Sequence, residues 1–356
     1  MGRATVGWCL VALAALVLQA GKGAAAQSNP VRNAAPTPTP DELATNAAWT
    51  YAQVWERVDI AALQLALINL KPEEIGSPLW PAPDALPIGG EALDRFAAAL
   101  IEATLIPQCD FLWDRSPGPA VRLPHLGNLR ASGRLMAVLA RRSVDAGDAR
   151  GAVRFLAAGY RIAGHTSMDR VTVASMYAGS IFQAVDAVAA MTLATGALEQ
   201  SDRDELRAAL ATLDEADPFR GAASARGEAE LLAQWMEGRV AVGALDELVL
   251  HIRSSLAGAG RMNIDTDAIT PQVATLAAFD ATLAESWPAL EPIFAHWNDA
   301  DTRALSEAFR SARRAELLIP VPPEQAQLFY QRWSRDRDAF RARLVGLAAP
   351  IPSAPR

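Results

Sequence analysis

Lysine is almost missing from this chain: of 356 residues only Lys22 and Lys71 carry an ammonium group, and every other basic side chain is arginine. A phosphate-binding loop with its lysine, or a Schiff-base enzyme, would have to rely on Lys71 alone. Histidine is scarce too, at four residues, and cysteine stops at two. There is no Gly-x-Ser-x-Gly elbow, His-Glu-x-x-His, Cys-x-x-Cys, Gly-x-Gly-x-x-Gly or calcium loop, so the common hydrolase, zincin, redox and dinucleotide signatures are absent. Aromatics make up 6% of the chain, and 33 basic against 40 acidic side chains leave a net charge of −7. General nucleic-acid binding draws its affinity from cations that neutralise phosphates, which excludes that class of partner.

What is abundant is alanine, about a fifth of the residues. Alanine is the best helix former and lets helices approach closely. A chain of this length buries enough surface to fold without disulfides or metals.

Residues 1–26 read as a secretory signal: Arg3 in a short basic start, an apolar run from Ala4 to Ala20, then Ala24, Ala25 and Ala26 before Gln27. The alternative is a retained anchor, at the short edge of what spans a bilayer. Trp8 before Cys9 does not fit a lipoprotein site. Cleavage after Ala26 leaves 31 basic and 40 acidic residues, a charge of −9, and Cys109 as the only thiol. An exported chain with one cysteine has no internal disulfide, so Cys109 is expected in the core. No second span is expected, since the apolar stretch from Val173 to Leu193 carries Gln183 and Asp186. The expected location is the periplasm or cell envelope.

Residues 27–40, with Pro30, Pro36, Pro38 and Pro40, read as a disordered linker. Residues 41–350 follow as a single all-α domain, with a sub-boundary near 258–270. Apolar residues at three- and four-residue spacing predict a helical stretch from an Asp41 cap to Pro72, then a proline-rich loop to Gly90 anchored by Trp80. Further helices are predicted from Glu91 to Ile106, from Pro124 to the Gly147-Asp148 turn, and from Ala152 through Ile162. A central helix covers Ser167 to Leu193, and a capping box at Ser201 and Asp204 starts the next one. Later helices open at Pro218 and Pro271, the second interrupted near Pro288 and Pro292, and the last two cover Thr302–Leu318 and Glu324–Leu347. The fold class is all-α: antiparallel helical hairpins, tetratricopeptide-like, α-solenoid or irregular bundle, with long proline-rich loops in the first third.

Candidate chemistry concentrates between residues 109 and 130. Cys109, His125 and either Asp110 or Asp114 supply a thiol, a base and an orienting acid. Trp113, Asn128 and Arg130 are binding candidates beside them. The same set offers zinc three or four ligands at a spacing that matches no standard finger, and no metal or cofactor is assigned. The alternative is structural: Cys109 and Trp113 plug the helical hairpin, Asp110 caps a turn and His125 caps a helix. His165, His251 and His296 are expected at surfaces or caps. Asp214-Glu215-Ala216-Asp217 spells a helicase acidic box, but without a phosphate loop it reads as coincidence. The arginines of Tyr330–Arg343 read as the salt-bridged exposed face of a helix whose apolar face is Phe329, Trp333, Phe340 and Leu344.

Asn46-Ala47-Ala48 with Tyr51, Cys109-Asp110-Phe111, Leu123-Pro124-His125-Leu126 with Asn128-Leu129-Arg130, and Ala146-Gly147-Asp148 with Ala152 resemble an uncharacterised family of exported, Ala- and Leu-rich bacterial helical proteins. The similarity covers roughly residues 45–215, departs from the family at Phe111 where tryptophan is expected, and implies tetratricopeptide-like architecture without an activity. The expected role is protein interaction or scaffolding in the cell envelope, with a protein as partner. The alternative is an enzyme or small-ligand binder whose pocket is built from residues 109–130.

Overall fold

The computed structural model describes residues 39, 44–77, 80, 86–114, 117–118, 121–244, 246, 248–250, 273–297, 302–311 and 323–349. The expected signal sequence, nearly all of the linker, the Asp41 cap, the Pro271 start, His251 and the sub-boundary at 258–270 lie outside these residues. Among those described the chain is helical and no strand is formed, apart from one isolated bridge between Asn46 and Gln108.

The chain divides into two compact units. The larger comprises Ser28–Trp113, Leu123–Ser224 and Arg332–Arg356. It opens with α1 (Ala47–Trp55), α2 (Ile60–Leu67), the short α3 (Pro72–Ile75) and α4 (Gly90–Thr104). The single stretch expected up to Pro72 is therefore broken. Asp59 accepts from the Ala62 amide and restarts the helix as the N-cap of α2, a local competition that apolar spacing does not register. Within the expected loop, α3 forms with its proline at the first turn.

Three long helices make the centre: α5 (Pro124–Asp145), α6 (Ala149–Thr166) and α7 (Thr172–Ala194), each packed against the other two. Gly147 at φ +75° makes the turn from α5, and Asp148 caps α6 by accepting from the Gly151 amide. Leu126, Leu129, Leu135, Val138 and Leu139 are all buried, as their spacing predicts. The approach is tight. A Cβ on Gly133 would lie 2.4 Å from Ile181 Cγ2, and one on Gly159 would lie 2.5 Å from Val185 Cγ2. By length and composition α7 is apolar enough to cross a membrane, contrary to the expectation from Gln183 and Asp186. Most of it is buried against its neighbours.

Guanidinium groups on α5 tie down the irregular first third. Arg134 donates to the Leu67 and Ile68 carbonyls at the end of α2. Arg141, two turns on, donates to the Ile75 and Ser77 carbonyls, pairs with Asp145 at 2.9 Å, and lies 5.9 Å from the Trp80 ring, the expected anchor of this loop.

Next comes α8 (Gln200–Leu210). Its capping box uses Glu199 and Asp202 rather than Ser201 and Asp204, since a carboxylate serves as cap as well as a hydroxyl does. Asp217 accepts from the Gly221 and Ala222 amides and starts α9 (Gly221–Ala241), three residues beyond Pro218. Part of the apparent acidic box is thus a helix cap. The larger unit closes with the second part of α12 (Pro323–Ala348), where Trp333 and Phe340 are buried as expected. Asp336 and Arg337, assigned to the exposed face, are buried too. The Gln183 amide donates to Asp336, and Arg343 pairs with Asp186 at 2.5 Å, so α7 covers this face as well.

The smaller unit contains most of α9, α10 (Leu276–His296), α11 (Thr302–Ser311) and the start of α12. Pro288 and Pro292 lie inside α10 without interrupting it. Each removes one ladder hydrogen bond while the bonds on either side keep the helix continuous. Trp297 meets Tyr330 edge to face, and Arg226 lies 4.7 Å from the Phe294 ring while pairing with Glu291.

The close approach sets a clear expectation. Gly133→Ala and Gly159→Ala should each destabilise the protein by about 1–3 kcal/mol in urea unfolding, against the helix-propensity gain of about 1 kcal/mol. Gly346→Ala, where an added Cβ meets nothing within 4 Å, should instead be neutral or stabilising. A stabilised Gly133→Ala variant would contradict the packing.

Candidate functional site

The residues singled out around position 109 come together through a clasp on the start of α1. Asn46 caps α1 by accepting from the Ala48 amide. Its side chain also donates to the Asp110 carbonyl and accepts from the Asp110 amide, at 2.7 and 2.9 Å. The Ala47 amide donates to the Gln108 carbonyl at 2.7 Å. Asp110 then accepts from the Leu112 amide, as expected of a turn cap, and Leu112 takes φ +48°. The turn sends Phe111 inward and Leu112 outward.

Phe111 completes a buried ring stack. It lies 4.3 Å from the His125 ring at 16°, and 5.7 Å from Trp55 at 5°. Trp55 stacks in turn on Tyr51 at 5.6 Å, and Tyr51 meets His165 edge on at 5.7 Å. Four side chains of this region find polar partners far away in sequence. Trp55 Nε1 donates to Ser132 Oγ at 3.1 Å, and the Tyr51 hydroxyl bonds to His165 Nδ1 at 3.0 Å. His125 Nε2 lies 2.5 Å from Asp169 Oδ2, and Trp113 Nε1 donates to Asp169 Oδ1 at 3.2 Å.

The acid that orients His125 is therefore Asp169, in the turn between α6 and α7. Asp110 and Asp114, the expected acids, are both exposed. His125 sits in the first turn of α5 but faces inward, so it is no helix cap. His165, expected at a surface or cap, is buried. Burial pushes its pKa from the ordinary 6.5 to about 4, partly opposed by a hydrogen bond to the Ile106 backbone. Neither Asp169 nor the burial of His165 is signalled by spacing, because both depend on where α5, α6 and α7 converge.

Cys109 is 4% exposed and lies within this packing. Burial, with the nearby carboxylates of Asp169 and Asp110, pushes its thiol well above the ordinary value, the reverse of what an activated thiolate requires. Among the described residues no hydrogen bond joins Cys109 to His125, whose Nδ1 is buried without a partner. Nor does any group of three or more His, Cys, Asp or Glu among them form a metal-holding cluster. Trp113 is half-buried. Asn128 accepts from Gln64 at 2.5 Å, and Arg130 lies 5.3 Å from the Tyr177 ring. A shallow groove of about 490 Å³ is lined by Pro72, Glu73, Gly76, Phe182, Gln183, Asp186, Ala187 and Ala339, with nothing from residues 109–130.

This chain matches no family model, no curated protein and no solved structure.

Two measurements check the chemistry of the stack. In the native protein Cys109 should resist a thiol reagent and become reactive only on unfolding; labelling at the rate of a free thiol would contradict its placement. His165 has a folded pKa below its unfolded one, so its contribution to stability is complete above about pH 6.5 and is lost as pH falls toward 4. The loss is on the order of 3 kcal/mol. The difference in unfolding free energy between wild type and His165→Gln should therefore shrink over that window, and a constant difference would mean that His165 does not titrate there.

Proposed function

We propose that this is an exported protein-interaction module of the cell envelope, built from tetratricopeptide-like helical hairpins, with α2 at the centre of its docking surface. The supporting observation is α2 itself. Its sequence, Ile60-Ala-Ala-Leu-Gln-Leu-Ala-Leu67, is apolar except for Gln64, yet only Leu63 and Leu67 are buried. Leu65 is 75% exposed and Ile68, at the C-cap, is 45% exposed. Ala61 and Ala66 are exposed beside them.

A helix that is apolar around its circumference is normally buried all round. Leaving Leu65 and Ile68 in water forgoes about 1.5–3 kcal/mol for each side chain, and apolar surface of this kind marks contact sites. The occupant that fits is the apolar face of another protein. At eight residues α2 is about 12 Å long, enough for the core of a small interface and not for the whole of it. The pocket alternative has less behind it, because Cys109, Phe111 and His125 fill the space that a ligand would need.

The test replaces Leu65 with a photocrosslinking residue in intact cells. A discrete adduct should form and should disappear on adding Ile68→Glu, while helical content stays unchanged by circular dichroism. No adduct from position 65, or one that survives Ile68→Glu at full yield, would overturn the assignment of α2.

A further inference from the structure

The apolar strip of α2 is edged by charges mostly of one sign. From Glu56 to Glu74 the charged residues are acidic at Glu56, Asp59, Glu73 and Glu74, and basic only at Arg57 and Lys71. Lys71 pairs with Glu74 at 2.8 Å, which leaves the exposed Glu56, Asp59 and Glu73 against Arg57. The cations on the inner side of these helices are engaged within the chain: Arg134 donates to the Leu67 and Ile68 carbonyls, and Arg141 pairs with Asp145.

Glu73 also lines the groove over α7. It follows Ile68 by five residues, so the edge of the groove lies within about 18 Å of the exposed end of α2 along the chain. Helix α3 sits directly on α7, where a Cβ added to Gly76 would lie 3.1 Å from Ala187 Cβ, and the groove of about 490 Å³ opens beside this contact. Two carboxylates line it. Asp186 is matched, by Arg343 at 2.5 Å and by the Tyr160 hydroxyl at 3.1 Å, whereas Glu73 forms no ion pair among the described residues. Pro72, Ala187 and Ala339 add partly exposed apolar surface to the walls.

We propose that the partner segment docked on α2 carries a lysine or arginine into this groove beside Glu73, so that the chain selects an apolar face with a basic edge; this rests on α2 as the docking surface. A long basic side chain is an alkyl stem with a charged head. The stem matches Pro72, Ala187 and Ala339, and the head matches the Glu73 carboxylate. Carboxylates along the edge steer a basic partner into place and disfavour an acidic one. The same charges repel anionic lipid headgroups, so the occupant is a protein segment and not a membrane surface.

Two synthetic amphipathic helical peptides test it, identical in their leucine and alanine face and carrying either lysine or glutamate along its edges. Titrated into the purified full chain and followed by fluorescence anisotropy, the lysine peptide should bind on the order of tenfold more tightly than the glutamate peptide, and the difference should shrink as salt is added. Glu73→Gln should weaken the lysine peptide by about two- to fivefold, the worth of an exposed ion pair. Asp94→Asn, exposed on α4, should leave it unchanged. Leu65→Ala, which keeps a helix former in α2, should weaken both peptides by about tenfold. Equal affinity for the two peptides, or equal weakening by Glu73→Gln and Asp94→Asn, would overturn the basic partner while α2 remained the docking surface. Full binding by Leu65→Ala would overturn α2 itself. Binding to phosphatidylglycerol vesicles without binding to the lysine peptide would overturn the assignment to a protein segment.

Discussion

The constraint on which the larger unit depends is the separation of α5, α6 and α7. Gly133 against Ile181 and Gly159 against Val185 hold these helices closer than any residue with a Cβ would allow. The side chains facing each glycine are β-branched and fully buried, so they have few other rotamers into which to yield. The separation also decides which polar groups meet. His125 in the first turn of α5 and Asp169 in the turn before α7 are 44 residues apart in sequence and 2.5 Å apart in space, a match that a wider spacing would break.

Around that centre the described loops and helix ends of the first third are held by hydrogen bonds to side chains, which satisfy backbone groups that lie outside regular ladders. Asn46 replaces a strand partner for Asp110. Arg134 and Arg141, seven residues apart and so on one face of α5, each collect two carbonyls from the ends of α2 and α3. One planar group can bind two acceptors with fixed geometry, which an ammonium does less well. The scarcity of lysine in the chain and its reliance on arginine are consistent with this way of holding loops.

Features that depend on near neighbours in sequence were legible there. The apolar face of α5, the Gly147-Asp148 turn, the Asp110 turn cap and the anchoring Trp80 all follow from local spacing or local chemistry. The break before α2 was also local but was hidden, because Ala62, Leu65 and Ile68 continue the helical period across Asp59. The partners of His125 and the burial of His165, Asp336 and Arg337 were not legible, since each is decided by a helix that arrives from elsewhere. Arg130 stood out beside Asn128, whereas the hold of Arg134 on the end of α2 depends on residues 66 and 67 positions away and was not legible.

The candidate groups of the larger unit differ in how far the chain itself satisfies them. The His125–Asp169 pair, with Trp113 and the ring stack, is largely satisfied within the chain, which fits a structural part. By contrast, α2 carries apolar surface at Leu65 and Ile68 that the described residues do not cover. Arg134 joins the two: buried in α5, it donates from one nitrogen to the Leu67 and Ile68 carbonyls, so the placing of the exposed end of α2 depends on the central helix.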